Sequence, residues 1–241
     1  GQTVVPITFV STTGVYAFDS QNNLSLATEQ MIHPSPQFIT SGYSQSKWVA
    51  DQMMVKAKQE FGLPISIYRC GDICGHSKTG MCNLSHDFVR FIQGIISMKL
   101  APKDHRIVDV TPVDLVAQSI ITSTAHYEEK FIFNVVHPEP IRMIHIVKYI
   151  KEMLGYSDIQ FVEPERFINT IKECQNIDLL ALWPIFQKQM NTHDIIYTTS
   201  LYKKESTADS LDIVKNMVDY LIDMKKIEAP IQNPMRGGVA I

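Results

Sequence analysis

Two apolar, β-branched runs bracket a helical segment near the start of the chain, and this arrangement limits the possible folds more than any other feature. The first run, Val4, Val5, Ile7, Phe9 and Val10, reads as a buried strand. It ends in small hydroxyl residues, Ser11-Thr12-Thr13, followed by Gly14. A polar stretch from Asp19 to Pro36 carries loop signals at Asn22-Asn23 and Pro34-Ser35-Pro36. From Ser44 to Phe61 the pattern turns helical: Val49, Met53, Ala57 and Phe61 recur at four-residue spacing, with Asp51 and Lys58 off that stripe, and Gly62 stands at the stop position. Ile65-Ser66-Ile67-Tyr68 then reads as a second buried strand. Strand, helix and strand in this order form a βαβ crossover, which favours a parallel sheet.

The same reasoning carries on downstream. A helix is expected from Ser85 to Met98, with Phe88, Phe91, Ile92, Ile95 and Ile96 on its buried face, and a short strand from Arg106 to Val110. Thr111-Pro112-Val113-Asp114 combines a cap, a proline at the first helical position and an acid two residues on, a helix start continued by Val116, Ala117, Ile120 and Ile121. Phe131–Val136 is a strand candidate, and a helix from Met143 to Leu154 ends at Gly155. Strands at Ile159–Val162 and Asp194–Thr199 and a helix at Ala208–Lys226 complete the reading. The expected fold is α/β: a partial Rossmann-like parallel sheet with flanking helices, plus a smaller, mainly helical C-terminal substrate-binding subdomain. A composition shift at Pro138 puts the first region at 1–137 and the second at 138–241, with segments that interleave.

Charge excludes some partners. A net charge of −3 gives no electrostatic footprint for nucleic acid or an anionic membrane. No stretch reaches the length of apolar residues a membrane span needs. Four cysteines in 241 residues do not suggest a disulfide framework, so a reducing, cytoplasmic setting is expected.

The chemistry concentrates in Tyr43-Ser44-Gln45-Ser46-Lys47. Positions four apart share one helix face, so the phenol and the ammonium project to the same place. A cation beside a phenol favours phenolate, and a tyrosine so placed can pass a proton to a carbonyl oxygen. The hydroxyls of Ser11, Thr12 and Thr13 are placed to hydrogen-bond that same oxygen. A Tyr-xxx-Lys pair is common as surface decoration; its place inside a βαβ unit, after a strand ending in hydroxyls, raises its weight.

These residues carry a resemblance. Val10-Ser11-Thr12-Thr13-Gly14-Val15-Tyr16 followed by Tyr43-xxx-Lys47 resembles the active site of extended short-chain dehydrogenases/reductases. Tyr68-Arg69-Cys70-Gly71-Asp72-Ile73-Cys74-Gly75-His76-Ser77 with Thr79-Gly80 and Asn83 is similar to a segment of thioester reductase domains, which terminate polyketide synthases and nonribosomal peptide synthetases. Asp109 to Ala117 and Phe133 to Pro138 resemble the next two shared blocks, so the likeness runs from Ile7 to Phe167. The resemblance implies Thr12 as the catalytic hydroxyl, Tyr43 as proton donor, and Lys47 holding the nicotinamide ribose. It also implies NADPH as cofactor, and as partner an acyl carrier protein whose phosphopantetheine arm presents the thioester, with upstream domains of a larger polypeptide. The product would be an aldehyde or an alcohol.

Two departures stand out. Cys70 occupies a position where the family usually has proline, and none of the eleven glycines forms GxxGxxG or GxGxxG. The turn that takes cofactor phosphates in such folds is therefore expected upstream of this segment, in a longer polypeptide, with a degenerate product as the alternative. Rival readings are an extended dehydrogenase acting on acyl-CoA or a nucleotide sugar, and a carrier-docking module without turnover. Arg69 is a candidate cofactor contact, with a structural salt bridge as the alternative. Cys70, Cys74, His76 and Cys82 lack zinc-ligand spacing, so no metal is assigned. Met53, Met54, Met81, Met98 and Met143 suit an acyl channel or ordinary core packing. His33, His105, His137, His145 and His193 read as loop or surface residues.

Overall fold

A computed structural model describes residues 5–18, 24–123, 130–173, 194–201 and 207–230. Val4, the Asn22-Asn23 loop signal and His193 lie outside them. Strands β1 (Ile7–Thr12) and β2 (Leu24–Ala27) precede helix α1 (Gly42–Phe61) and strand β3 (Ile65–Cys70). A short β4 (Ile73–Cys74) leads to α2 (Asp87–Met98), β5 (Leu100–Pro102), β6 (Ile107–Val108), β7 (Thr111–Pro112) and α3 (Val113–Ser123). Then come β8 (Ile132–Val135), β9 (Ile141–Arg142), α4 (Met143–Glu152), β10 (Gln160–Val162), α5 (Pro164–Glu173), β11 (Asp194–Tyr197) and α6 (Ser210–Asp223). No helix among the described residues is long and apolar enough to cross a membrane.

The chain divides into two compact units: Gly1–Ile73 with Ile107–Pro140 and His193–Ser210, and Cys74–Arg106 with Ile141–Thr192 and Leu211–Ile241. In the first unit the expected parallel sheet is present. Its order is β1-β3-β8, with Ile7 opposite Ile65 through to Thr12 opposite Cys70, and Ile67 opposite Ile132 through to Cys70 opposite Val135. The central strand is buried along its whole length, as a strand covered on both faces must be. Side chains alternate across it. Ile65 and Ile67 join Val55, Ile132, Phe9 and Met54 on the α1 face, and Tyr68 and Cys70 join Val116, Phe133 and Val135 on the α3 face.

Helix α1 begins two residues before the Ser44 start read from sequence. The Ser41 hydroxyl caps it, accepting from the Ser44 amide at 3.0 Å. It ends where the sequence says, at Gly62, whose φ of 63° is the left-handed conformation that glycine adopts at least cost. Its apolar stripe, however, does not face the core except at Ala57. Val49, Met53 and Phe61 are exposed, whereas Asp51 and Val55 are buried. The reason lies on β3: continuing the alternation past Ile65 and Ile67 brings Arg69 to the α1 face, and a buried guanidinium requires a carboxylate opposite it.

The second unit pairs β5 with β10 in parallel, Leu100 opposite Gln160 and Pro102 opposite Val162. Helices α2 and α5 meet through Phe91 and Phe167, edge to face at 6.3 Å. The segment Gly75–Gly80 lies flush on α6. Gly80 has φ 67°, and a Cβ there would stand 1.8 Å from the Asn216 carbonyl oxygen. The Gly75 amide donates to Met217 Sδ at 3.3 Å, and Asn216 Nδ2 donates to the Ser77 carbonyl at 2.7 Å.

Candidate active site

The site is built where β1 ends and α1 begins, at the C-terminal edge of the parallel sheet, the edge at which open α/β folds bind ligands. Thr12 closes β1, and its Oγ1 accepts from the Gly14 amide at 3.1 Å, starting a single 3₁₀ turn, Thr13–Val15. The chain is pressed close to α1 at Gly14: a Cβ there would lie 2.8 Å from Ser44 Oγ and 3.5 Å from Thr12 Oγ1. This close approach brings the Thr12 strand end against the first turn of α1. Tyr43 stands in that first turn with 62 % of its surface exposed. One turn on, Lys47 Nζ donates to the Val10 carbonyl at 3.2 Å and lies 5.7 Å from the Phe9 ring centre.

The Lys47 charge is felt across the strand end. Burial pushes the Cys70 thiol up to about 12, Asp109 adds to the shift and Lys47 opposes it. Cys70, opposite Thr12 in the sheet, is thus a packed, protonated thiol. The donor set suits the nicotinamide end of a dinucleotide. An ammonium has three N–H donors, of which the bond to Val10 uses one, and an exposed phenol stands a turn away. Among the described residues, no group of three or more His, Cys, Asp or Glu could hold a metal ion.

Arg69 takes no such open position. Its side chain and that of Asp51 are both fully buried, and all five of its N–H donors are used. Nε and Nη2 clasp the Asp51 carboxylate at 3.0 and 2.6 Å, Nη1 reaches Tyr16 Oη at 2.8 Å and the Met31 carbonyl at 2.6 Å, and Nη2 also reaches the Ile32 carbonyl at 3.1 Å. Of the two roles open to Arg69 in the sequence, the geometry supports the structural salt bridge. Burial works against the Arg69 charge, and the Asp51 and Tyr16 contacts more than offset it. Tyr16 is held neutral mainly by burial, and it donates to Asn134 Oδ1 at 2.9 Å. The Ser11 hydroxyl donates to Asp51 Oδ2 at 2.7 Å. Sequence reasoning missed Asp51, Tyr16 and Ser11 as a set. The available signal was the four-residue series Tyr43, Lys47, Asp51, Val55, which continues the face of the candidate pair into the core.

A small cleft beside the sheet is lined by Asp109, Val136, His137 and Tyr197. Asp109 accepts from the His137 amide at 2.7 Å and from the Thr111 hydroxyl at 2.8 Å, so Thr111 serves the carboxylate. A Cβ at Gly71 would lie 2.0 Å from Asp109 Oδ2, which makes glycine obligatory there. His137 lies in a loop, as expected, but is buried rather than on the surface, with its ring nitrogens 2.9 Å from the carbonyls of Glu139 and Ala208. Met53 and Met54 belong to the first unit and Met81, Met98 and Met143 to the second, with Met53 and Met81 exposed and Met143 buried.

Burial, with Asp72 adding to it, pushes the Asp109 carboxyl up to about 7 from 3.8, against the pull of the His137 amide and the Thr111 hydroxyl. Between those two values the folded chain keeps a proton that the unfolded chain has lost, so stability falls as pH rises through this window and levels off above it. Asp109→Asn removes that slope. Urea midpoints of parent and variant, measured across the window, should show the parent's advantage shrinking with rising pH. A difference that stays constant or grows would contradict the protonation of Asp109.

Comparison with known proteins adds to this geometry. The model of a family of NAD-binding domains, described as Male sterility protein, matches residues 1–120. The chain is 30 % identical over 169 residues to a linear gramicidin synthase of Brevibacillus parabrevis, covering 70 % of this chain and 3 % of that protein. It is 28 % identical over 190 residues to the L-2-aminoadipate reductase large subunit of Candida glabrata, covering 73 % of this chain and 14 % of that one. Among solved structures, the terminal R domain from the myxalamid PKS-NRPS biosynthetic pathway superposes with a TM-score of 0.80 at 22 % identity, over 94 % of this chain and 60 % of that one. The chain therefore spans only a small part of these curated relatives and less than two thirds of the R domain.

Proposed function

We propose that this chain, whose residues 1–120 match a family of NAD-binding domains described as Male sterility protein, reduces an acyl thioester, carried on the phosphopantetheine arm of an acyl carrier protein, to an aldehyde or alcohol. The observation that supports this reading most is the meeting of the β1 end with the first turns of α1 at the sheet edge. Lys47 Nζ sits on the Val10 carbonyl at 3.2 Å, Tyr43 stands one turn before it, and the Thr12 strand end abuts the first turn of α1.

NADPH, when bound, supplies the hydride that adds to the thioester carbonyl carbon. Thr12 and Tyr43 donate hydrogen bonds to the carbonyl oxygen and stabilise the negative charge that grows on it. Tyr43 serves as the proton source, and Lys47, one turn on along α1, would hold the ribose hydroxyls of the cofactor. Collapse of the tetrahedral adduct breaks the carbon–sulfur bond, expelling the pantetheine thiol and leaving the aldehyde; a second round yields the alcohol. The relatives point the same way, since a gramicidin synthase and an aminoadipate reductase share this segment.

The test uses the whole polypeptide that carries this segment, with octanoyl-S-N-acetylcysteamine as a small thioester and NADPH as reductant. Octanal or octanol should appear in step with NADPH oxidation, and the same assay with NADH separates the two cofactors. If NADPH binds but the thioester survives while a nucleotide sugar or acyl-CoA is turned over, the proposal fails.

A further inference from the structure

Two consecutive residues of β1 are hydrogen-bonded to α1, and the next lies close to it. The Val10 carbonyl accepts from Lys47 Nζ at 3.2 Å, the Ser11 hydroxyl donates to Asp51 Oδ2 at 2.7 Å, and Thr12 meets the first turn near Ser44 across Gly14. Along the helix, Tyr43, Lys47 and Asp51 follow at four-residue spacing, so Asp51 lies about 6 Å below Lys47 and about 12 Å below Tyr43 at 1.5 Å rise per residue. Asp51 is the innermost of these ties and the most completely enclosed. Its carboxylate is held by Arg69 Nε and Nη2, by the Ser11 hydroxyl, and by Gln52 Nε2 at 3.3 Å.

Such a pair is a costly way to stabilise a core. Well-packed apolar residues of similar volume serve as well or better, because desolvating two charges offsets most of their attraction. What a dry, fully satisfied pair supplies is a single permitted arrangement. Arg69 has five donors and five acceptors in place, and any slip of α1 along β1 would strand one charge away from the other. The same slip would draw Lys47 off Val10 and move the Tyr43 phenol relative to Thr12.

We infer that Asp51, clamped by Arg69 on β3 and Ser11 on β1, is a positioning residue that sets the register of α1 on the sheet and thereby the distance between the Tyr43 and Thr12 hydroxyls. This rests on the reading of Thr12, Tyr43 and Lys47 as the reducing site. Asp51 touches no substrate; it acts through the helix that carries Tyr43 and Lys47.

Two variants of the whole polypeptide test it, assayed with octanoyl-S-N-acetylcysteamine and NADPH and followed by thermal melting. Ser11→Ala releases the strand from Asp51 while leaving the ion pair in place. Asp51→Glu keeps the charge but lengthens the arm by one methylene, pushing the helix along. Misplacement of a reacting group by about 1 Å can cost about 100-fold. Ser11→Ala should therefore lower kcat by about tenfold and Asp51→Glu by about 100-fold, with KM for the thioester within about threefold of the parent. A purely structural role would lower the melting temperature and leave kcat of the folded fraction unchanged. The inference is overturned if folded Ser11→Ala keeps kcat within about threefold of the parent, a result that decides the matter even where Asp51→Glu does not fold. Tyr43→Phe serves as the reference. If it too retains activity, the reducing site itself is misassigned; if it is inactive while Ser11→Ala is not, only the positioning role fails.

Discussion

Tyr43→Phe should abolish thioester reduction and leave the fold intact. The phenol is 62 % exposed and no described contact relies on its hydroxyl, so removing that oxygen costs the folded state little. For the reaction it is the proposed proton source and one of two donors to the developing oxyanion. Losing a general acid typically costs about 10²- to 10⁴-fold in rate. Single-turnover assays with octanoyl-S-N-acetylcysteamine, together with circular dichroism on the same preparation, measure both halves of the expectation. A variant that kept more than about a tenth of the parent rate could not be reconciled with proton donation from this residue.

Asp51→Ala is expected to destabilise the first unit severely. It removes the carboxylate and leaves the Arg69 guanidinium fully buried with no counter-charge, which typically costs about 3–5 kcal/mol. Against a total stability of about 5–15 kcal/mol, that change leaves the unit marginal or unfolded at ordinary temperature. Urea denaturation monitored by circular dichroism reads it directly. A loss below about 1 kcal/mol would place the pair among weak surface bridges, in conflict with its burial. The exposed Lys56–Glu60 pair on the same helix provides the contrast, since breaking it should change stability by less than about 1 kcal/mol.

Much of this was legible beforehand, and the reasons differ from element to element. The βαβ unit was visible because Ile65 to Tyr68 is a short apolar run between a glycine stop and a polar turn, a pattern that the central strand of a parallel sheet produces. The end of α1 was visible because Gly62 supplies a conformation other residues avoid. Tyr43 and Lys47 were visible because four-residue spacing on a helix needs no tertiary information to place two groups on one face. The facing of α1 was not legible, for the complementary reason. Val49, Met53, Ala57 and Phe61 form a periodic apolar stripe, and periodicity reports a possible buried face without saying what lies opposite it.

The sequence by itself determined the local order of strands and helices, the helix stop at Gly62 and the residues from which a proton-transferring site could be assembled, because each follows from backbone preference and short-range spacing. Only the tertiary structure decided which face of α1 is inside, that Arg69 belongs to the core, and that Asp51, Ser11 and Tyr16 surround it. These depend on what two segments distant in the chain present to each other. A buried charge has no stable place until its partner arrives from another strand, and no window of neighbouring residues contains that partner.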